Sequence, residues 1–448
     1  MKEYDVVVVG GGSAGLCAAI TAGRLGAKTL LVERYGTIGG MATVGMTYHW
    51  DPIKMLGVRG IALEFYEAMK ARGDFLEFPF ERVDPMTTMW EGGASFHPEH
   101  FLSYALQELE KAGVELRLHT LVTGVKKDNG RIVNLAAYQT DWLEITGKVF
   151  IDATGDGNLV YLSGAPYEIA SKEALQSSTL MVKIGGVDLE KMFAYLEENP
   201  QELGVHPRLG KMIRDPRRTA TIIGFRDCIR RARENGDLSF SLPEHGIGFD
   251  RLARDGEFRL NCTHTANLDC TEGNGMTEAY LSERGKTEEL MRFLNRYIPG
   301  CEQAYLMQTA VQVGVRESRR LLGDYQLTEE DLAQARHFDD AVLEAQWAHC
   351  DVHSPDGKEW SFKMYPGPYQ IPYRCFLPRG IENLYGAGRC ISCDRAAFAS
   401  VRIQMITMTM GQAVGAAAAL AAKTPGGRTR DVDVKGLQET LRGMDYRI

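Results

Sequence analysis

The sequence has no excess of positive charge. Its 448 residues include 51 lysines and arginines against 59 aspartates and glutamates, which gives a formal net charge of −8. Proteins that bind nucleic acid or an anionic membrane surface in a general way carry a basic surplus. The composition therefore argues against both partners, although the basic runs at 214–218 and 316–320 could line a pocket for an anion.

Long uninterrupted hydrophobic runs are also missing. The most apolar long segment, Met405–Ala422, is rich in Ala, Gly, Met and Thr and contains Gln412. Such a composition suits a helix buried in protein better than one in lipid. The opening sequence MKEYDVVVVGGG enters a strand pattern without the charged and then apolar segments of a secretion signal. We therefore expect a cytoplasmic protein without a membrane partner.

Cysteine is too scattered for a disulfide framework, because the nine cysteines are an odd number spread along a large chain. Cys390 and Cys393 nevertheless have the spacing of a redox dithiol, and a helix that starts nearby could lower a thiol pKa. The alternative is that both are small apolar core residues. No second Cys-x-x-Cys completes a zinc site, although residues 261–270 (NCTHTANLDC) bring Cys and His close together. We expect no metal.

The first thirty residues have the pattern of a dinucleotide-binding unit. YDVVVVG is a β-branched run typical of a buried parallel strand, Ser13–Leu25 has helical composition, and Ala27–Glu33 is a second buried strand. Between them, GGGSAG supplies the Gly-x-Gly-x-x-Gly fingerprint as Gly10, Gly12 and Gly15. These glycines allow a tight turn, close approach to a pyrophosphate, and close packing of helix on strand. Glu33 ends the second strand, where its carboxylate can accept hydrogen bonds from a ribose.

The rest of the chain suggests an interrupted domain. After an irregular stretch at 41–93 with one helix at 61–72, the pattern predicts a helix from Pro98 to Gly113, a hairpin that turns at 128–130, and a strand ending near Gly157. From 158 to 380 helices and strands mix with longer polar connections. A buried strand then returns at ENLYGAG. The sequence predicts a first domain of 1–157 and 381–448, with a substrate domain of 158–380 inserted into it.

Several glycine segments together carry a family resemblance. The fingerprint, ERYGTIGGMAT (33–43), VFIDATGDG (149–157) and NLYGAGRCIS (383–392) stand where FAD-dependent oxidoreductases have them. The chain resembles the flavoproteins of the two-dinucleotide-binding-domain type, and is distantly similar to the flavin subunits of fumarate reductase and heterodisulfide reductase. VGVRESRRLLGDYQLTEEDL (313–332) resembles the substrate-domain segment of that group. The resemblance implies an α/β fold, with a Rossmann-like FAD-binding domain of the glutathione-reductase type and an inserted α+β substrate domain.

The resemblance also implies which residues contact FAD. Small residues stand where backbone must approach a flat or charged ligand, and SVRIQ at 400–404 is expected to begin a helix whose amides face the flavin. The expected cofactor-binding residues are Gly10, Gly12, Ser13, Ala14, Gly15, Glu33, Arg34, Gly39, Gly40, Met41, Ala42, Val122, Ala153, Thr154, Gly155, Gly388, Arg389, Ser400, Val401 and Arg402.

Candidate substrate-binding and catalytic residues are polar side chains of the second domain, with His49 added from the first. A guanidinium fork can hold an anion, and a His or Tyr can move a proton while hydride passes to or from the flavin. The expected catalytic residues are Arg316, His353, Tyr373 and Arg374, with Glu317, Arg319, His264 and His49 as weaker candidates. Each has an ordinary alternative, namely an interdomain ion pair, a turn residue or a core residue.

We therefore predict an FAD-dependent oxidoreductase that holds FAD without a covalent bond. It transfers hydride between flavin N5 and a carbon of a small polar organic substrate, for which an anionic group is one option. The chain lacks the HPT substrate motif and the RSHT flavin-attachment segment of fumarate reductases. It also has no second strand–GxGxxG–helix unit for NADPH, so a separate electron donor or acceptor is expected. The alternatives are a flavin–dithiol oxidoreductase using Cys390 and Cys393, and an electron-carrying subunit of a complex; association of identical copies stays open.

Overall fold

The computed structural model describes residues 3–50, 58–78, 93–206, 210–211, 215–243, 246–345, 349–365 and 367–448. Parts of the irregular stretch predicted at 41–93, namely 51–57 and 79–92, lie outside these residues. Within the described residues, the strands before residue 158 are β1 (Glu3–Val9), β2 (Thr29–Val32), β3 (His49–Trp50), β4 (Leu76–Phe78), β5 (Gly93–Ser95), β6 (Glu115–Arg117), β7 (Leu121–Asp128), β8 (Arg131–Tyr138) and β9 (Trp142–Asp152).

The later strands are mostly short. They are β10 (Tyr167–Glu168), β11 (Val182–Gly185), β12 (Val205–His206), β13 (Gly210–Lys211), β14 (Thr221–Gly224), β15 (Ile247–Arg251), β16 (Phe258–Leu260), β17 (Tyr305–Thr309), β18 (Arg320–Leu321), β19 (Ala341–Ala345), β20 (His349–His353), β21 (Trp360–Met364), β22 (Tyr369–Pro372) and β23 (Leu384–Gly386).

The helices of the described segments range from one turn to six turns. They are α1 (Ser13–Arg24), α2 (Gly60–Arg72), α3 (Pro98–Lys111), α4 (Asn158–Leu162), α5 (Leu189–Glu198), α6 (Arg226–Glu234), α7 (Gly275–Tyr297), α8 (Glu329–Ala333), α9 (Arg395–Val401), α10 (Gln404–Ala421) and α11 (Val434–Arg442).

The first sheet joins the two ends of the chain. Its parallel part runs β6-β2-β1-β9-β23, and the antiparallel strands β8 and β7 continue from the other half of β9. β23 pairs in parallel with β9 through Leu384 and Phe150, although more than two hundred residues separate them in sequence. A mostly parallel sheet with helices on it is the Rossmann-like arrangement. The predicted α/β class with a Rossmann-like sheet is confirmed.

Helix α1 packs on helix α10 through small residues. A Cβ added to Gly411 would lie 2.1 Å from Ala14 O, and one added to Gly415 would lie 2.3 Å from Ala18 O. These contacts leave no room for a side chain, so the two helices approach as closely as their backbones allow. The Ala and Gly composition of 405–422 is therefore explained by tight packing inside the protein.

The second unit is built on an antiparallel sheet in the order β14-β15-β16-β11-β17. Its core runs from Val182 to Ala304 and includes side chains of α5, α6 and α7. The predicted insertion at 158–380 encloses this core. Residues after it, such as Tyr369 and Phe376, pack in the core of the first unit. The domain boundaries themselves stay a prediction.

The described segments contain no single helix that is long and apolar enough to cross a bilayer. Only α9 and α10 together, which are bent by 91° relative to each other, meet those two criteria.

Candidate active site

A large cavity lies where the parallel strands of the first sheet end. It contains about 1910 Å³ of atom-free space, including the part that is open to solvent. Its lining extends from Gly12 in the first unit to Thr179 and Asn261 in the second part of the chain. Ligands bind at this edge in open α/β sheets. The lining includes Val9, Val32, Ala153 and Ala387, which end or follow β1, β2, β9 and β23.

The glycine fingerprint forms the turn between β1 and α1. Gly10 has a φ of +103°, and a Cβ there would lie 2.4 Å from Ala153 O. A Cβ on Gly15 would lie 1.8 Å from Gly10 O, whereas a Cβ on Gly12 would meet nothing within 4 Å. The fingerprint thus combines two crowded glycines with one that faces the open cavity. This is the division of roles that the sequence predicts.

The amino-terminal end of α1 opens into the cavity beside this turn. Its N-cap residue is Gly12, no side chain caps the helix, and its first turn contains no acidic residue. Ser13 and Ala14 line the cavity. Uncapped amides and the positive end of the helix dipole make such a terminus a binding site for phosphate.

Glu33 is held rigidly at the end of β2. Its Oε2 accepts a hydrogen bond from Gly11 N–H (2.6 Å) and its Oε1 accepts one from Tyr35 N–H (2.9 Å). The residue is buried and lines the cavity. Two backbone donors therefore orient this carboxylate, whose remaining lone pairs can accept hydrogen bonds from a ribose.

Most of the residues expected to contact the cofactor line this one cavity. They are Gly10, Gly12, Ser13, Ala14, Glu33, Arg34, Gly40, Met41, Val122, Ala153, Thr154, Gly155, Gly388, Arg389 and Arg402. The expected residues outside the lining are Gly15, Gly39, Ala42, Ser400 and Val401. Their roles as contacts stay a prediction. For Gly15 the structure gives a packing role beneath the turn.

The helix expected to begin at Ser400 begins at Gln404 instead. Ser400 and Val401 end α9, where Ser400 Oγ is 2.9 Å from the Tyr369 hydroxyl, and the chain bends before α10. The helix terminus at the cavity is therefore that of α10, and Ile403 and Gln404 line it. Composition does not mark the bend between α9 and α10, because the bend depends on tertiary packing.

Four charged or titratable side chains form a polar wall in the cavity, which we define as Arg316, Asp351, His353 and Arg402. Arg402 Nη2 donates to Asp351 O (2.7 Å) and lies 3.4 Å from Asp351 Oδ2. His353 Nε2 lies 3.2 Å from Asp351 Oδ1. The sequence predicted three members of this wall, and Asp351, which joins two of them, was missed.

Burial shifts the pKa values of the polar wall. It lowers the pKa of Arg316 to about 10, with a smaller lowering from the charge of Arg402. It also lowers the pKa of His353 below its ordinary value, against an opposing effect from Asp351. Arg316 therefore stays protonated at neutral pH, and the uncharged form of His353 is favoured.

A second histidine lies behind the wall. The ring centroids of His264 and His353 are 6.0 Å apart, and His264 Nδ1 is 3.0 Å from Thr179 Oγ1. Thr179 itself lines the cavity, as do Asn261 and Gln312. These polar residues carry no sequence motif, so pattern analysis had no signal by which to find them.

His49 also lines the cavity, on the short strand β3. Burial lowers its pKa to about 4, which makes it neutral at physiological pH. Its Nδ1 is 3.4 Å from Ser95 Oγ. His49 can therefore contribute a polar contact without adding charge.

Tyr373 and Arg374 lie away from the cavity, which corrects the placement expected from the sequence. The Tyr373 hydroxyl is buried, donates to Thr429 O (2.6 Å) and also bonds Tyr385. Arg374 forms a bidentate ion pair with Asp340 at an open surface cleft. The Pro-bounded segment 369–378 packs on the first core, so its polar ends face away from the site.

The two remaining candidates of the basic run support structure. Arg319 donates to Asp156 O (3.2 Å), and Glu317 lies 3.0 Å from Arg320. Glu317 also pairs with Arg395, at 3.3 Å. Neither Arg319 nor Glu317 lines the cavity. Glu317 thus forms ion pairs, whereas Arg319 donates to backbone carbonyls and to Asn158 Oδ1.

The dithiol alternative finds no support in the geometry. Cys390 and Cys393 are fully buried free thiols outside the cavity lining. Cys390 Sγ donates to Asp152 O (3.4 Å) and Cys393 Sγ to Ile391 O (3.6 Å). Burial raises the pKa of both thiols, which opposes thiolate formation. Across the described segments, no group of three or more His, Cys, Asp or Glu residues is arranged to hold a metal ion.

We expect Cys393→Ala to leave the redox behaviour of the bound cofactor unchanged. Anaerobic titration with dithionite should consume about two electrons per bound flavin in the variant and in the parent protein, because only the cofactor is reduced. Cys390→Ala serves as the matched variant. If the parent took up about four electrons and both variants about two, Cys390 and Cys393 would be a redox-active pair.

Comparison with known proteins identifies relatives of the whole chain and of its parts. The family described as FAD dependent oxidoreductase matches residues 5–441. The NADH:fumarate oxidoreductase of Klebsiella pneumoniae (strain 342) is 28% identical over 189 residues, which cover 34% of this chain and 20% of that protein. The mitochondrial dihydrolipoyl dehydrogenase of Schizosaccharomyces pombe is 23% identical over 260 residues, covering 45% of this chain and 51% of that protein. The chain thus spans about half or less of these relatives.

Two solved structures share the fold. One is a geranylgeranyl bacteriochlorophyll reductase-like protein from Thermoplasma acidophilum, with a TM-score of 0.52 and 13% identity over 100% of this chain and 85% of that one. The other is the p-nitrophenol 4-monooxygenase PnpA from Pseudomonas putida DLL-E4, with a TM-score of 0.50 and 14% identity over 98% of this chain and 84% of that one. At such identities the likeness concerns the fold alone.

Proposed function

The chain belongs to the FAD dependent oxidoreductase family and is a flavin enzyme with FAD as its cofactor; from this premise we propose that it transfers hydride between flavin N5 and a carbon of a small polar organic substrate. The substrate would bind against the polar wall. The observation that carries the proposal is that Arg316 and His353 line the same cavity as the glycine fingerprint.

The residues of the dinucleotide end fit FAD. Gly12 faces open space where a pyrophosphate would lie, and the uncapped start of α1 supplies amides to it. Glu33 would accept hydrogen bonds from the ribose of the adenosine. Gly40 and Met41 would line the path toward the flavin ring. When bound, FAD supplies the capacity to accept or donate a hydride.

The polar wall would supply the groups that orient the substrate and carry its proton. Arg316 would orient the substrate through its planar guanidinium. His353 would accept a proton from a hydroxyl or amino group during oxidation, or return it during reduction, because its lowered pKa favours the neutral ring at neutral pH. Asp351 would hold the ring in one orientation through Nε2, and the apolar part of the lining would limit access of water.

The organisation predicted from the sequence forms part of this proposal. We propose a glutathione-reductase-type FAD-binding domain made of 1–157 and 381–448, a substrate domain of 158–380, and FAD held without a covalent bond. A separate donor or acceptor would complete the catalytic cycle. The substrates of the two curated relatives stay out of the proposal, because those matches cover 34% and 45% of this chain. Service as an electron-carrying subunit stays an untested alternative.

The proposal predicts that a carbon substrate will bleach the flavin under anaerobic conditions. Purified holoprotein is mixed with hydroxy acids, sugars, amines and thiols while the absorbance of oxidised flavin is followed. We expect one chemical class to bleach it completely, with the dehydrogenated product recovered in equal amount. Arg374→Met, which alters an exposed arginine away from the cavity, is the matched control and should bleach normally. Bleaching by thiols alone would contradict the proposal.

A further inference from the structure

We propose that the substrate of this enzyme is a small monocarboxylate, whose single negative charge is bound by Arg316. This inference deepens the proposed function and rests on it. It follows from a count of the charges in the polar wall and from the hydrogen bonds that each charged group already makes.

Arg316 is a buried cation whose observed partners are uncharged. It is 9% exposed, Nη1 donates to Ser177 O (2.7 Å), and Nη2 donates to Asn261 Oδ1 (3.0 Å). Within the described segments, no carboxylate oxygen forms an ion pair with it at 4.0 Å or less. A guanidinium has five N–H donors, so donors remain for a ligand. Asp351 and Glu283 act on Arg316 only at longer range. Burying a cation without a carboxylate in direct contact is costly, and an anionic ligand would offset that cost.

The other charges of the polar wall cancel. Arg402 and Asp351 form a pair through the contacts at 2.7 Å and 3.4 Å. His353 is biased toward its neutral form by burial, and His49, with a pKa of about 4, is neutral at physiological pH. Arg316 therefore gives this wall a net charge of about +1 at neutral pH, which one carboxylate neutralises and two would exceed.

The charged groups directly behind the wall do not remove its positive charge. Glu283 is fully buried on α7, and its Oε1 accepts a hydrogen bond from Ser178 Oγ (2.6 Å). Burial raises its pKa to about 7. Lys286, one turn further along the helix, donates to Thr265 Oγ1 (3.1 Å) and contributes an opposing positive charge. Glu283 also interacts electrostatically with Arg316. A pKa of about 7 leaves Glu283 partly protonated at neutral pH, so it offsets the positive charges of Lys286 and Arg316 only in part.

The charge of Arg316 is not required for the diphosphate of FAD. The glycine turn and the start of α1 would hold that group, and both belong to the first sheet and its helix. Arg316 instead is anchored by Ser177 O and Asn261 Oδ1, and Asn261 stands between two residues of the second-unit core. A planar carboxylate fits the fork of a guanidinium through two parallel hydrogen bonds.

The test uses holoenzyme and three probes that differ in charge. Propanoate carries one negative charge, malonate carries two, and propanamide is the neutral analogue of propanoate. Each is titrated at pH 7.5 while the flavin absorbance spectrum is followed, which gives a dissociation constant without turnover. We expect propanoate to bind at least about tenfold more tightly than propanamide, the scale of a charged hydrogen bond, and more tightly than malonate.

Variants separate binding by Arg316 from a general effect of charge. Arg316→Met should weaken propanoate binding by about tenfold or more and leave propanamide unaffected, while Arg316→Lys should recover part of the loss. Arg374→Met is the matched control and should bind as the parent does. FAD content and circular dichroism report whether each variant is folded. The order of the affinities of the three probes for the parent protein tests the proposal even if Arg316→Met does not fold.

The outcomes distinguish this inference from the proposed function. The monocarboxylate proposal would be overturned if malonate bound more tightly than propanoate, or if propanamide bound as tightly as propanoate. It would also be overturned if no probe changed the flavin spectrum, or if Arg316→Met left the affinity for propanoate unchanged. A neutral substrate that bleaches the flavin would overturn it too and would leave hydride transfer intact. Failure of every compound class to bleach the flavin, with propanoate bound as expected, would instead contradict the proposed function alone.

Discussion

Replacement of Gly15 by alanine is expected to yield a protein that unfolds at a lower temperature and takes up little FAD. The added methyl group would lie 1.8 Å from Gly10 O and 2.9 Å from the Ala153 side chain, so α1 must move away from the turn. Overpacking in a core costs about 1–3 kcal/mol, and a backbone oxygen cannot rotate away. Thermal unfolding of the apoprotein and the flavin-to-protein ratio measure both effects.

Gly12→Ala provides the contrasting variant. Its methyl group would meet nothing within 4 Å, so the apoprotein should unfold at an unchanged temperature while FAD binding weakens. Loss of a charged hydrogen bond to the pyrophosphate corresponds to about 10- to 150-fold in affinity. Gly285→Ala, on an exposed turn of α7 with no atoms near the added group, is the control for a methyl group added without a clash. It should leave FAD binding unchanged and not lower the unfolding temperature, because alanine favours a helix over glycine. A stable Gly15→Ala protein with full FAD content would refute the crowding argument.

His353→Gln is expected to reduce turnover with the identified substrate by about 10²- to 10⁴-fold, the usual contribution of a positioned acid or base. Glutamine can still donate a hydrogen bond to Asp351, which His353 now contacts at 3.2 Å, but it cannot carry the proton. Propanoate affinity and FAD content should stay close to those of the parent. Steady-state kcat, with the two binding measurements, distinguishes proton transfer from a structural role.

The pKa of His353 determines in which direction the turnover rate changes with pH. Oxidation requires neutral His353, and burial places its pKa below the ordinary value of about 6.5. The parent's rate should therefore hold steady from pH 8 down to about pH 6.5 and fall as the pH passes through the lowered pKa. The acidic limb should vanish in His353→Gln. His100→Gln, at a half-buried position of α3 outside the cavity lining, is the control. Retained turnover in His353→Gln would exclude the residue as the base.

The parts that the sequence predicts well are those whose signal is local. Strand β1, helix α1 and the hairpin of β7 and β8 follow from a β-branched run, a glycine fingerprint and a turn at Asn129-Gly130. In each, neighbouring residues determine the backbone. The position of Glu33 at the end of β2 follows in the same way, because strand length fixes it.

The polar wall could not be predicted in the same way. Arg316 and Arg319 have the same chemistry three residues apart, yet Arg316 lines the cavity and Arg319 bonds the backbone at Asp156. The difference depends on tertiary contacts, since Arg316 bonds Ser177 and Asn261, which are distant in sequence. Asp351 gave no pattern because its partner Arg402 is fifty-one residues away. Tyr373 had the right chemistry but packs into the core, which only the assembled fold determines.

The contact of α1 with α10 has a consequence for synthesis on the ribosome. Gly411 rests on Ala14, so about 400 residues must be added between the two halves of that contact, which takes about 20–80 s at 5–20 residues per second. During this interval the face of α1 that packs on α10 stays uncovered, and the cavity lacks the lining residues that α10 contributes. We expect the nascent chain to need a holding chaperone, and its coenzyme to be captured only after translation of the α10 segment.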